Sequence, residues 1–165
     1  MTSNHETTSL IQSTRPLLLW ISFLSFIAIG LQGGALGVAW LSMEKSFDKT
    51  LGSLSVLLLT ATIGGLLISF YGGRFIALLG LGRFCLLGSG LLTLGLFGAA
   101  FTPQWVGLVV AAFAWGVGQA AISNTFAANH YSSRHMNWLH ATFGLGSTLG
   151  PLLVTFIVIA LDLSW

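Results

Sequence analysis

Charged side chains are scarce in this sequence. Only 6 Lys and Arg and 4 Asp and Glu occur among 165 residues, or 6%, whereas about a quarter of a soluble domain is charged. So few charges cannot cover a surface that faces water, and the mean hydropathy of +0.89 agrees. Most side chains must therefore face lipid or other protein. The net charge of +2 is too small to indicate a nucleic-acid partner.

Signals for enzymes and metal sites are also missing. The single cysteine, Cys85, has no partner for an intramolecular disulfide and is interpreted as a packing residue. The sequence has no Gly-x-Ser-x-Gly, His-Glu-x-x-His or phosphate-binding glycine loop, so no enzyme is predicted. His130, His135 and His140 are spaced by five, about 140° per step on a helix, and therefore occupy different faces. No metal site and no cofactor is predicted.

Five long apolar runs organise the chain. They cover about 17–41, 53–71, 84–101, 105–129 and 138–161, and each can cross about 30 Å of hydrocarbon as a helix. They predict an all-α integral membrane bundle over 17–161. Residues 1–16 are predicted to be a flexible polar tail, residues 72–83 a glycine-rich interruption, and 162–165 a truncated end before a sixth helix. Gly37-Val-Ala39 also fits a signal-peptide cleavage site, but the later spans favour a retained helix.

The distribution of positive charge predicts the orientation. With a cytoplasmic N-terminus, four arginines lie inside and two lysines, offset by two acids, lie outside, which supports an N-in, C-out arrangement in a cell membrane. The inner residues are Arg15, Arg74, Arg83 and Arg134, and the outer ones are Lys45 and Lys49. The tryptophans near the span ends are predicted at headgroup level; these are Trp20, Trp40, Trp105 and Trp138.

The glycines recur four residues apart, roughly one helical turn. This spacing opens a flat strip on a helix where another backbone can approach closely. The pairs are Gly30 with Gly34, Gly33 with Gly37, and Gly146 with Gly150 followed by Pro151. The pattern predicts tight helix packing and favours no particular function.

Three segments resemble one transporter family. They are Ala127-Ala128-Asn129-His130-Tyr131, the junction Arg134-His-Met-Asn137-Trp-Leu-His140, and Gly146-Ser-Thr-Leu-Gly150-Pro151. Together they are similar to the fucose permease-like group of sugar transporters in the major facilitator superfamily. The resemblance covers nearly the whole chain and implies the N-terminal half of a fold built from two six-helix halves.

The sequence departs from this family in its acidic residues. Ala77 stands where the loop between helices two and three usually has Asp, and Thr125 where proton-coupled relatives have Glu. The first run also contains no acid. Because membrane carboxylates are the usual proton carriers, proton coupling would have to use His140 or the missing half, or be absent. The coupling ion, H⁺ or Na⁺, stays open.

Polar residues inside or beside the apolar runs are the candidate site. An amide in hydrocarbon needs partners, which a polar solute in a cavity or a neighbouring helix would supply. The predicted cavity residues are Gln32, Gln119, Asn124, Asn129 and His140. Predicted gating or junction residues are Arg74, Arg83, Arg134 and Asn137. The alternatives are interhelical hydrogen bonding for the amides, a structural junction near the cytoplasmic mouth, and topology anchoring for the arginines.

The predicted function is secondary transport of a small, sugar-like solute by alternating access, with this chain as an incomplete N-terminal half. Such a half is expected to contact the bilayer and the solute, and to pair with a complementary C-terminal half or with itself. Two alternatives stay open. One is a non-transporting membrane scaffold or partner subunit, and the other is an exporter of an apolar compound.

Overall fold

The computed structural model consists of helices joined by short connections. It describes residues 3–128 and 133–160, with side chains for 19–125, 134–158 and Ala160. Within those residues the elements are α1 (Ser3–Ser46), α2 (Leu51–Leu79), α3 (Leu81–Phe101), α4 (Trp105–Ala128) and α5 (Ser133–Ala160). The predicted all-α class is therefore confirmed for the described part of the chain.

All five described helices are long and apolar enough to cross a membrane. Their apolar windows are Leu19–Ser46, Leu51–Leu79, Leu81–Phe101, Trp105–Thr125 and Arg134–Val158. Large hydrophobic side chains are exposed along them, as in Phe70, Leu78, Phe101 and Phe156. Exposed side chains of this kind are stable in lipid and unstable in water, so the fold fits an integral membrane protein.

Helix α1 begins much earlier than the first predicted span. The sequence predicts a tail over 1–16, whereas the helix already starts at Ser3. Extending a helix that has already nucleated costs little, because each added residue contributes a hydrogen bond without a new nucleus. The uncharged part of the helix still begins at Leu17, directly after Arg15 and Pro16.

Helix α2 runs through the predicted glycine interruption. Gly72 and Gly73 lie inside α2, which continues to Leu79. Gly72 is buried, and a Cβ there would meet the Asn124 amide nitrogen at 3.0 Å, so this glycine permits packing and does not break the helix. Gly80 alone separates α2 from α3. Its φ of 78° is readily adopted by glycine and rarely by other residues.

The remaining junctions lie close to the predicted ones. Thr102, Pro103 and Gln104 separate α3 from α4, and proline cannot continue a helix at that point. Helix α5 begins at Ser133, five residues before the predicted start of its span at Trp138. Because polar residues at a helix end can reach the headgroup region, the helix need not end where the apolar run ends.

The described chain divides into two compact units. One unit contains α1 up to Val38 together with α5. The other contains the end of α1 from Ala39 and helices α2, α3 and α4. Each unit has its own set of close helix contacts, and glycine contributes to both.

In the first unit, α1 and α5 approach through glycines on both helices. A Cβ built at Gly30 would fall on the carbonyl oxygen of Phe143, and one at Gly34 on that of Ser147. Contacts that advance together along both helices show that α1 and α5 run parallel. Gly146 and Gly150 are equally restricted by the α1 backbone, at Ile27 and Leu31.

Pro151 contributes to the same contact. Proline has no N–H, so the carbonyl of Ser147, four residues earlier, lacks its usual donor within the helix. That carbonyl is the one that faces Gly34. A glycine Cα–H can approach it closely, and neighbouring helices commonly satisfy backbone groups that proline frees in a membrane.

In the second unit, α4 packs between α2 and α3. Of the residues in its membrane window, 44% are buried, against 22% or fewer in each other window. A Cβ at Gly116 would fall on the Ala61 carbonyl of α2. At Gly95 of α3 a Cβ would lie 2.5 Å from the backbone nitrogen of Trp115. Helix α4 is therefore the centre of this unit.

Candidate functional site

Gln119 is held by a tryptophan one turn earlier in α4. The indole Nε1–H of Trp115 donates to Gln119 Oε1 at 3.1 Å. Trp115 is buried, whereas Gln119 is only half-buried. With its oxygen engaged, the amide keeps its two N–H donors for another group. Gln119 is thus an oriented hydrogen-bond donor inside an apolar helix.

Asn124 connects two helices. Its Nδ2 donates to the carbonyl oxygen of Ile68 in α2 at 3.4 Å, a long hydrogen bond. This is the interhelical role that the sequence left open as an alternative to solute binding. The side-chain oxygen remains available as an acceptor, and the residue is half-buried.

Gln32 belongs to the first unit and lies away from the α1–α5 contact. It stands two positions from both Gly30 and Gly34, which is about 200° around the helix. The side chain is half-buried, and within the described part of the chain it makes no hydrogen bond. An amide without a partner in an apolar helix needs one from another helix, from water or from a solute.

The polar start of α5 is an exposed surface. Arg134, Asn137 and His140 are each three residues apart and therefore lie along one side of the helix, and all three are exposed. Leu139, between them in sequence, is fully buried on the other side. Asn129, the remaining predicted cavity residue, lies outside the described residues.

The two arginines around the α2–α3 connection are exposed as well. Arg74, inside α2, has its guanidinium carbon 6.0 Å from the centre of the Tyr71 ring, within the range of a cation–π contact. Arg83 lies in the first turn of α3. Their positions are compatible with both roles considered from the sequence, anchoring the topology and gating.

No group of three His, Cys, Asp or Glu side chains within the described residues is arranged to hold a metal ion. His135 and His140 are described, whereas His130 lies outside them.

The sequence missed the burial of Trp40. It was predicted at headgroup level, but it is fully buried and packs edge-to-face on Trp105, with ring centres 6.3 Å apart. Its Nε1 has no hydrogen-bond partner among the described residues. Position near a span end does not distinguish a lipid-facing ring from a packed one. Trp20 and Trp138, by contrast, are well exposed.

Sequence analysis also missed two grooves. One is wholly apolar and formed by α2, α3 and α4, and the other lies between the starts of the α1 and α5 spans. Both depend on which helices are neighbours. The sequence of a single apolar run does not show which helix lies next to it. The glycine pairs of α1 and α5 do agree with a close approach of these two helices, which form the second groove.

No protein-family model matches this chain, and no curated protein and no solved structure matches it. The resemblance to sugar transporters therefore stays a prediction that rests on the sequence segments quoted above.

Proposed function

We propose that this chain takes part in the transport of a small polar solute, of the sugar class, across a cell membrane. In this proposal the N-terminus is cytoplasmic, and the helices form one wall of a cavity that opens to alternate sides. The second wall is a complementary half or a second copy of the chain. Whether a proton, sodium or no ion is coupled to transport is an outcome of the uptake experiment below.

The observation that carries the proposal is the oriented amide of Gln119. A membrane helix rarely contains a glutamine, and here the indole of Trp115 fixes the amide oxygen. The free N–H donors suit the hydroxyl oxygens of a sugar, which would otherwise lose their hydrogen bonds to water. Gln32 supplies a second amide of the same chemistry in the other unit.

Helix pairing gives independent support. A six-helix half made of two inverted three-helix repeats relates α1 to α4 and α2 to α5. Under that exchange, a contact between α1 and α5 becomes a contact between α4 and α2. Both pairs are present here, through Gly34 beside Ser147 and through Gly116 beside Ala61.

A binding experiment tests the proposal directly. We expect hexoses to change the emission of Trp115 in the purified chain in liposomes, because solute bound at Gln119 alters the hydrogen bond to the indole. The Trp115 signal is the difference between the wild type and Trp115→Phe. Gln119→Leu should abolish the saturable change, and Gln104→Leu, which removes an amide in the α3–α4 connection, should retain it.

An uptake experiment tests the alternating-access step. Radiolabelled hexose uptake is followed in liposomes under sodium or proton gradients, with the chain alone and with the C-terminal half of a related sugar permease. We expect saturable uptake only when a second wall is present. Comparable uptake by a cross-linked homodimer would identify the second wall as another copy. Failure of both binding and uptake would favour the scaffold interpretation.

A second candidate function, export of an apolar compound, is favoured by the groove among α2, α3 and α4. It measures about 220 Å³ and is lined by apolar side chains that include Phe75, Phe84 and Leu91. Saturable binding of an apolar dye that competes with no sugar would support this candidate over the first.

A further inference from the structure

A groove lies where the membrane-crossing parts of α1 and α5 begin. It measures about 350 Å³ and is lined by Leu19 and Phe23 of α1 and by Arg134, His135 and Trp138 of α5. Both helices belong to the same compact unit and run parallel, so their span starts are adjacent. The groove is formed by one apolar wall and one cationic, aromatic wall.

Its position matches the boundary between hydrocarbon and headgroups. The uncharged run of α1 begins at Leu17, directly after Arg15 and Pro16, and that of α5 follows Arg134 and His135. Phe23 lies about one turn beyond Leu19 in α1, and Trp138 about one turn beyond Arg134 in α5. The groove thus extends from headgroup level into the first part of the acyl region.

The lining has the chemistry of a phosphate site beside an acyl-chain site. The exposed guanidinium of Arg134 offers paired donors that match phosphate oxygens, and Trp138, 59% exposed, offers one more donor. None of the described residues that line the groove is acidic. A phosphate would therefore have a cationic partner, whereas the ammonium of a zwitterionic headgroup would have no carboxylate.

We propose that this groove binds an anionic phospholipid, with its phosphate on Arg134 and the upper part of one acyl chain on Leu19 and Phe23. The proposal rests on membrane insertion of α1 and α5 and not on the transport function. A lipid held there would lie at the start of α5, on the side that carries Arg134 and Trp138, and its headgroup would adjoin the predicted cytoplasmic mouth.

Native mass spectrometry of the detergent-purified chain tests this. Phosphatidylglycerol and phosphatidylcholine with identical acyl chains are supplied in equal amounts, and the bound lipid is counted. We expect phosphatidylglycerol to be retained preferentially. Arg134→Gln should lower its retention about fivefold, the effect of one cation near an anionic headgroup. The matched variant Arg74→Gln removes the same charge from another exposed site and should change retention less than about twofold.

Two further measurements separate loss of the lipid site from misfolding of the variant. Arg134→Lys should restore most of the preference, because a lysine is still a cation although it lacks the planar fork. In the wild type, phosphatidylglycerol brominated on its acyl chains should quench Trp138, isolated as the difference from Trp138→Phe, more than brominated phosphatidylcholine does. This arm needs no variant at position 134 and distinguishes a site effect from misfolding.

Three results would overturn the proposal. They are equal retention of the two lipids, equal losses in Arg134→Gln and Arg74→Gln, and equal quenching by the two brominated lipids. Displacement of the lipid by millimolar glycerol phosphate would show that the groove selects a free anion, and this also counts against a lipid site.

Discussion

Both units contain glycines that lie against a neighbouring backbone, but the units differ in the described side chains that are buried around these contacts. In the first, α1 and α5 meet through glycines on both helices, and the large side chains buried among the described residues are Phe26, Ile29 and Leu139. In the second, α4 lies between two partners and buries a larger set of side chains. That set includes Leu57, Phe84, Leu108, Trp115 and Ile122.

The comparison shows that the stability lost on replacing a glycine depends on whether backbone atoms or side-chain atoms surround it. Backbone atoms cannot move aside without moving the helix, whereas side chains can change rotamer. Among the described residues, the α1–α5 contact is a single interface in which backbone atoms face each other. The three-helix unit distributes its packing over two interfaces of α4, so a local disturbance at one leaves the other.

The largest effect is expected for Gly150→Leu in the first unit. The Cβ would fall on the Leu31 carbonyl and 2.8 Å from the Ala35 nitrogen, both backbone atoms. We expect a loss of about 3 kcal/mol or more, which lowers the melting temperature in detergent by roughly 10 °C. Size-exclusion chromatography after heating measures it.

Gly144→Leu is the matched control for this change. It adds the same side chain to the same helix, but a Cβ at Gly144 meets no atom within 4 Å. We expect a shift of less than about 1 kcal/mol, since leucine is the better helix former. Equal melting temperatures for the two variants would refute a backbone contact at Gly150.

An intermediate effect is expected for Gly64→Leu in the second unit. Its Cβ would lie 2.7 Å from the Phe113 carbonyl oxygen, 3.0 Å from Val117 Cγ2 and 3.2 Å from Phe113 Cδ2. Because two of these three atoms belong to side chains that can yield, we expect a loss of about 2 kcal/mol. The rate at which a thiol-reactive dye labels Cys85 on heating reports unfolding of this unit.

Gly73→Leu is the control in the same helix, because a Cβ at Gly73 meets no atom within 4 Å. It should melt close to the wild type. A larger loss of stability for Gly64→Leu than for Gly150→Leu would contradict the expectation that backbone neighbours make a substitution more destabilising than side-chain neighbours do.

The smallest effect is expected for Asn124→Leu. It removes the donor to the Ile68 carbonyl, and interhelical hydrogen bonds in membranes average about 0.6 kcal/mol. Gln119→Leu serves for comparison, since Gln119 accepts from Trp115 within α4 and joins no two helices. We expect a small drop in melting temperature for the first variant only. An equal drop for both would argue against the bond to Ile68 as an interhelical contact.

Apolar composition predicted most of the fold, because a helix is how a chain satisfies its own backbone in lipid. The length of α2 was not predictable from its glycines. The same Gly72 that suggests a break in sequence allows Asn124 to approach in the structure. The hydrogen bond between Trp115 and Gln119 was not predictable either, although the two residues are only one turn apart. From the sequence, the Gln119 amide could equally have been bonded to another helix or to a solute.

The sequence alone determined that this chain forms apolar helices, which segments are long and apolar enough to cross a bilayer, and which positions carry glycines that allow a neighbouring helix to approach. These properties depend on local composition and spacing. Only the tertiary structure decided that Gly30 and Gly34 face α5, whereas a Cβ added at Gly33 or Gly37 would meet no described atom within 4 Å. Two glycine pairs with the same spacing cannot be told apart in the sequence of one helix. Which pair lies against a neighbouring helix depends on contacts between residues more than a hundred positions apart.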